Sequence, residues 1–253
     1  MKSSAVITVL FIAANLLLLR AADTTVAPPA PVAPADTNAP QAVQVDVSKL
    51  LNMRVVTTLT DGKVVSLQNS IDGAGGVATK AAATSLNGKA ETAVPDDGTF
   101  PANADHPEIV LHFSNTDGTG FQVRRLPHEE EFSFDVPPKN YAKMFLCFTS
   151  GAAGPAPLKV TLTYQDGTTE ERDIVCPDWW NNLDEKTNPN KDVVYVGFDL
   201  AKWGKSNKVM EKDHHNIFGI DVHPTPGKVL TSIKVHKTRP LVCFWGATGV
   251  PTN

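Results

Sequence analysis

Cysteine is scarce in this chain, basic runs are missing, and no apolar repeat of 3.6 residues persists anywhere along it. Three cysteines, Cys147, Cys176 and Cys243, form one pair at most, which excludes a disulfide scaffold. Cys147 lies in "MFLCFTS" and Cys243 in "LVCFWGA", apolar runs in which a thiol serves as a small hydrophobe. No C-x-x-C or H-E-x-x-H spacing offers the common zinc patterns. No G-x-S-x-G stretch offers a nucleophile. The lack of a Lys/Arg-rich face argues against nucleic acid. Without Lys2 and Arg20 the 23 basic residues become 21, against 27 acidic ones, and a polyanionic partner would be repelled. No N-x-S/T sequon occurs.

The longest apolar run, Ala5 to Leu19, is short of the roughly 20 residues that cross a bilayer. Met1 and Lys2 precede it, and Arg20, Ala21 and Ala22 follow. This layout predicts a secretory signal over residues 1–22 and a secreted, periplasmic or extracellular protein with no membrane span in its mature chain. Residues 23–43, rich in Ala, Pro and Thr, predict a linker that cannot bury enough surface to order itself.

From residue 44 to residue 253 short strand patterns alternate with Gly, Pro, Asn and Asp clusters. "RVVTTLT-DG-KVVSLQ" reads as a hairpin turning on Asp61-Gly62. Further strand patterns are "EIVLHF", "GFQVRRL", "EFSFDV", "KMFLCFT", "LKVTLTY", "EERDIVC", "DVVYVGFDL", "NIFGIDV", "LTSIKVH" and "LVCFWGAT". Eleven or twelve strands predict one all-β domain, an antiparallel sandwich. In "LKVTLTYQDGTTEERDIVC", residues Leu158, Val160, Leu162 and Tyr164 share a face. A three-residue loop, Asp166-Gly167-Thr168, would set Val160 against Ile174 and turn Cys176 inward, with Gly167 at a bulge. Pro177 has no N–H and ends the pairing, so "DWWNN" starts a rim loop.

Val136, Pro137 and Tyr141, then Asp166, Gly167, Asp178 and Trp179, then Pro224, Pro226, Gly227, Lys228, Ser232 and Ile233 carry a recognisable order. Across residues 105 to 250 it resembles the galactose-binding-like jelly rolls that serve as carbohydrate-binding or accessory modules of exported bacterial proteins. His223 departs from that pattern, which often has Asn there. The resemblance implies a jelly-roll fold; it implies carbohydrate by analogy alone.

Asp178, Trp179, Trp180 and Asn181 combine an indole that can stack on a pyranose with groups that bond hydroxyls. Neighbours in extended chain point oppositely, which favours one tryptophan inward and one outward, with Trp180 the better choice for water; the alternative is that both indoles close the open end of the core with Nε1 bonded to backbone. Trp203 in "LAKWGKSN" reads as a polar-loop residue and a second stacking candidate, Arg124 and His214 as polar contacts, and Trp245 as core. Asp213, His214, His215, Asp221 and His223 do not converge as zinc would need. No spacing selects a carboxylate pair for glycoside hydrolysis. "VPDDGTF" and "NSIDGAGG" suit a structural Ca²⁺ or ordinary turns equally, and no other cofactor is implied. The leading expectation is a non-catalytic exported glycan-binding sandwich. The alternatives are a sandwich that binds an envelope or extracellular protein, and a hydrolase on a jelly roll.

Overall fold

The computed structural model describes residues 41–126, 130–151, 153–184, 188, 191–237 and 240–252. The expected signal and residues 23–40 of the linker lie outside the described residues, as do His128 and Glu129. The strands are β1 (Val43–Val45), β2 (Val56–Thr60), β3 (Lys63–Val65), β4 (Gly75–Ala78), β5 (Thr99–Phe100), β6 (Ile109–Val110) and β7 (Arg124–Leu126). They continue with β8 (Glu130–Ser150), β9 (Ala156–Tyr164), β10 (Thr169–Cys176), β11 (Val193–Gly204), β12 (Val209–Asp221), β13 (Val229–Lys237) and β14 (Val242–Pro251). Among the described residues one short α-helix, α1 (Lys80–Ser85), interrupts them, with 3-10 turns at Ser48–Leu50 and Ala90–Thr92. The expected linker boundary at residue 43 therefore falls at the start of β1.

The result is an all-β sandwich built around β8. The patterns "EFSFDV" and "KMFLCFT" were expected as two strands and form one. Its first half, to Asn140, pairs with β13 in a layer ordered β10-β9-β13-β8. Its second half, from Tyr141, pairs with β14 and β12 in the other layer, which continues through β11 to β4. Among the strand pairs of the described residues, only β2 with β4 runs parallel.

Burial follows from this change of layer. In the first half of β8, Phe132, Phe134 and Val136 point into the sandwich and alternate with exposed residues. From Met144 to Ser150 every residue is buried. One face of the second layer packs on the first. Phe148, Phe218, Phe244 and Leu146 there join Leu158, Val160, Leu162, Ile233 and Val235 in one core. The other face is covered by the chain between Val55 and Val123, where Val56, Ile71, Ile109 and Phe113 meet Phe145, Cys147, Ile217 and Trp245. A strand covered on both sides reads as a continuous apolar run, as "MFLCFTS" does. Trp245 is core as expected, its Nε1 donating to Thr149 Oγ1 at 3.1 Å. All three cysteines are free and buried, and burial pushes the Cys147 and Cys243 thiols up to about 12.

Two sequence expectations need correction. The β9–β10 loop has three residues and Gly167 at φ +81°, but the residues are Gln165, Asp166 and Gly167. The register is therefore two residues from the expected one: Val160 faces Arg172, and Ile174 faces Leu158. A slip of two preserves the side-chain faces, so Cys176 still points inward. Secondly, "LAKWG" is the end of β11 and not a polar loop. Trp203 is buried on Ala82 and Ala83 of α1 and on Ala78, small residues that leave room for an indole. The Asp61-Gly62 hairpin is as read, with both φ values positive.

The corner of β8 depends on a close approach. Tyr141 is buried, donates its hydroxyl hydrogen to the Pro137 carbonyl at 2.7 Å, and lies over Gly249 of β14. A Cβ at Gly249 would stand 2.3 Å from Tyr141 Cε1, whereas one at Gly167 would meet nothing within 4 Å. Gly249→Ala should cost about 1–3 kcal/mol through overpacking. Gly167→Ala should cost about 1–2 kcal/mol through its left-handed backbone, and Gly167→Asn should recover part of it. Urea unfolding of the three variants checks this; an undisturbed Gly249→Ala protein would contradict the corner packing.

Candidate functional site

The candidate site forms where β10 runs out. After Pro177 the chain wedges between the ends of two strands of the second layer. Trp179 N donates to the Ser150 carbonyl at 2.8 Å, and Asn216 N donates to the Trp179 carbonyl at 2.7 Å. Residues 178 and 179 thus stand in for a strand between β8 and β12. The extended geometry sends the two indoles opposite ways: Trp179 is 3% exposed and Trp180 is 48% exposed.

Asp178 locks this turn. One carboxylate oxygen accepts from Gly154 N at 2.6 Å, and the other from Trp180 N at 3.0 Å. Its carboxylate is thereby committed to backbone amides, and its place at the site is to hold Trp180. The Trp179 ring lies 4.2 Å from His215, centroid to centroid. Trp180 leans on both imidazoles, at 5.3 Å from His214 and 5.0 Å from His215. Asn181 is exposed, and its carbonyl accepts from Asn216 Nδ2 at 3.1 Å.

Beside Trp180 lies a shallow depression of about 510 Å³ with a charged floor. Lys202, buried at the end of β11, bonds Asp72 Oδ2 at 3.2 Å and pairs closely with Glu211 Oε1. The other Glu211 oxygen is 3.2 Å from His215 Nε2, and His215 Nδ1 is 2.9 Å from the Asp213 carbonyl. Burial pushes the His215 imidazole below its ordinary value, against the opposing pull of Glu211. Burial would raise the Asp72 carboxyl, but the amides of Gly75 and Ala74, with Lys202, hold it below its ordinary 3.8.

The β11–β12 pair is irregular beside this floor. Its register shifts between Gly197 and Leu200 and again between Leu200 and Lys202. Asp199 and His214 take positive φ there, 54° and 73°, although neither is glycine. They are tied to one another: His214 N donates to Asp199 Oδ1 at 3.0 Å, and Asp199 N donates to Asn216 Oδ1 at 3.1 Å. Bulges of this kind re-aim side chains at sheet rims, and here they bring His214 out beside Trp180.

Of the residues expected from sequence, Asp178, Trp179, Trp180, Asn181 and His214 come together here. Trp203 does not, because it is sealed in the core under α1. Arg124 does not line the depression either. Its guanidinium pairs with Glu130, bonds the Leu50 carbonyl at 3.2 Å and covers the Phe132 ring. Sequence reasoning missed Asp72, Lys202 and Glu211. Asp72 stands 130 residues from Lys202, and no local signal links them.

Among the described residues no group of three or more His, Cys, Asp or Glu side chains is placed to hold a metal ion. In the stretches read as Ca²⁺ candidates, Asp72 accepts from Ala74 N and Gly75 N and Asp97 from Thr99 N within their own turns, while Asp96 accepts from Ala81 N at the start of α1. No protein-family model matches the chain, and no curated protein matches it either.

The floor has a pH signature. With its folded-state pKa below the unfolded value, Asp72 contributes stability that is complete above the unfolded pKa and is lost as pH falls through the folded one. Asp72→Asn should therefore lower stability at pH 7 by about 1–3 kcal/mol, and the gap to wild type should close below about pH 4. Denaturant unfolding from pH 7 to pH 3 measures it; a gap that widens in acid would contradict this ion pairing.

Proposed function

We propose that the protein is an exported, non-catalytic β-sandwich that binds a glycan at the rim around Trp180. The observation that carries the reading is a half-exposed indole on a rigid support. Its own amide is held by Asp178, its neighbour Trp179 is locked in the core, and its ring leans on two histidines. A platform already ordered before binding loses little side-chain entropy when a ligand arrives. The apolar face of a pyranose fits an indole, and exposed Asn181, Asn182 and His214 stand ready for hydroxyl groups.

The export part rests on the signal-like residues 1–22, and the resemblance to galactose-binding-like modules agrees with both parts. Binding is favoured over hydrolysis by the state of the carboxylates. Asp178 is spent on amides, Asp72 on amides and Lys202, and Glu211 on Lys202 and His215. A glycosidase needs two carboxyl groups free to act across the scissile bond.

Three of the four tryptophans are buried, so acrylamide should quench essentially one, and a bound glycan should protect it. Trp180→Ala should keep the fold and weaken glycan binding at least tenfold, about 1.4 kcal/mol. Trp179→Ala should instead destabilise the protein by about 3–5 kcal/mol. A broad glycan array read with wild type and Trp180→Ala is the deciding measurement. Folded wild-type protein that binds nothing on the array would refute the reading.

A further inference from the structure

We infer that the ligand is a chain of several sugar residues, held by a second aromatic platform formed by Phe198 on Tyr195; this rests on the glycan reading of the Trp180 site. Phe198 is 56% exposed, the same as Phe121 and more than Trp180. Regular alternation along β11 would put it on the side of Val196 and Leu200, both buried in the core cluster beneath the second layer. The register shift between Gly197 and Leu200 removes it from that core. Its ring then packs edge-on against Tyr195, with centroids 4.7 Å apart.

Tyr195 is itself fixed. Its ring lies 5.8 Å from core Phe218, and its hydroxyl oxygen accepts from Leu183 N at 2.5 Å. That second bond ties the platform to the segment that leaves Trp180. Between Trp180 and Leu183 the chain spans no more than about 11 Å. Its two intervening residues, Asn181 and Asn182, are both exposed. A second path joins the platforms through the bulges, from Trp180 to His214, to Asp199, and to its neighbour Phe198. Trp180 packs on the two histidine rings and Phe198 packs on Tyr195, so the two exposed rings stand on separate supports.

The occupant this arrangement fits is an oligosaccharide that stacks on Trp180, passes the two asparagine amides and stacks again on Phe198. Amides between two apolar platforms suit a ligand whose hydroxyl groups and apolar ring faces alternate along its length. They suit an apolar protein surface poorly, because their polar groups would be buried without partners.

The test uses the full mature protein and calorimetry with gluco-, manno-, xylo- and N-acetylglucosamine oligosaccharides of two to six units. In the series that binds, wild-type affinity should rise at least tenfold from disaccharide to hexasaccharide. Phe198→Ala should abolish that gain and leave disaccharide affinity unchanged, and Phe198→Tyr should restore it. Trp180→Ala should weaken every length. Affinity independent of length, or a hexasaccharide gain that survives Phe198→Ala, overturns the second platform while leaving the Trp180 site in place. A wild-type protein that self-associates and becomes monomeric in Phe198→Ala places a second copy on this surface and also overturns it. No binding by wild type to any series overturns both the platform and the reading beneath it.

Discussion

Strand β8 belongs to both layers of the sandwich, and the positions of the other strands follow from that double membership. Its first half aligns β13 and, through it, β9 and β10. Its second half lies between β14 and β12 and so sets the floor on which the N-terminal segments pack. The change of partner falls at Asn140 and Tyr141, where Tyr141 is held down on Gly249 by its bond to Pro137. A chain that turns from one sheet into another must satisfy the backbone groups of both, and β8 does so because β13 pairs with one half and β14 and β12 with the other.

The rim site depends on where β8 stops. Ser150 is its last residue, and its carbonyl is free to receive Trp179 N because the pairing of β8 with β12 ends at Phe148 and Phe218. The chain after Pro177 fills the gap. It is held on one side by Ser150 and on the other by Asn216, whose side chain also serves the carbonyls of Trp179, Asn181 and His214. Beneath it, Lys202 is shared by two carboxylates, an arrangement that neutralises most of the charge a buried ammonium would otherwise expose to a poor solvent. Rigidity around Trp180 therefore comes from a hydrogen-bonded frame and an ion-paired floor, with few apolar contacts of its own.

Much of this was legible in one dimension. Alternation in "LKVTLTY" placed four residues inward, and all four are buried. Asp61-Gly62 marked its hairpin through the left-handed preference of those residues. Other features were not legible, for identifiable reasons. "EFSFDV" and "KMFLCFT" looked like two strands because Pro137 and Pro138 punctuate them, yet prolines at a sheet corner do not end a strand that is changing partners. "LAKWGKSN" looked like a polar loop because Lys205, Ser206 and Asn207 close it, yet its first five residues finish β11, where Lys202 is buried by its ion pairs. The helix α1 is one and a half turns of small residues, too short to show a period, and its Thr79 cap is an ordinary loop residue in sequence.

The sequence by itself determined the class of fold, the inward faces of β9 and β10 and the end of β10 at Pro177. It also separated Trp179 from Trp180, because neighbours in extended chain must point oppositely. These are properties of a few consecutive residues, where backbone geometry leaves little choice. Only the tertiary structure decided that Lys202 meets Asp72 and Glu211, that Trp203 is sealed under alanines, and that two bulges turn His214 and Phe198 outward. Those outcomes depend on partners far apart along the chain and on strand register, and register is settled by the packing of the whole sandwich.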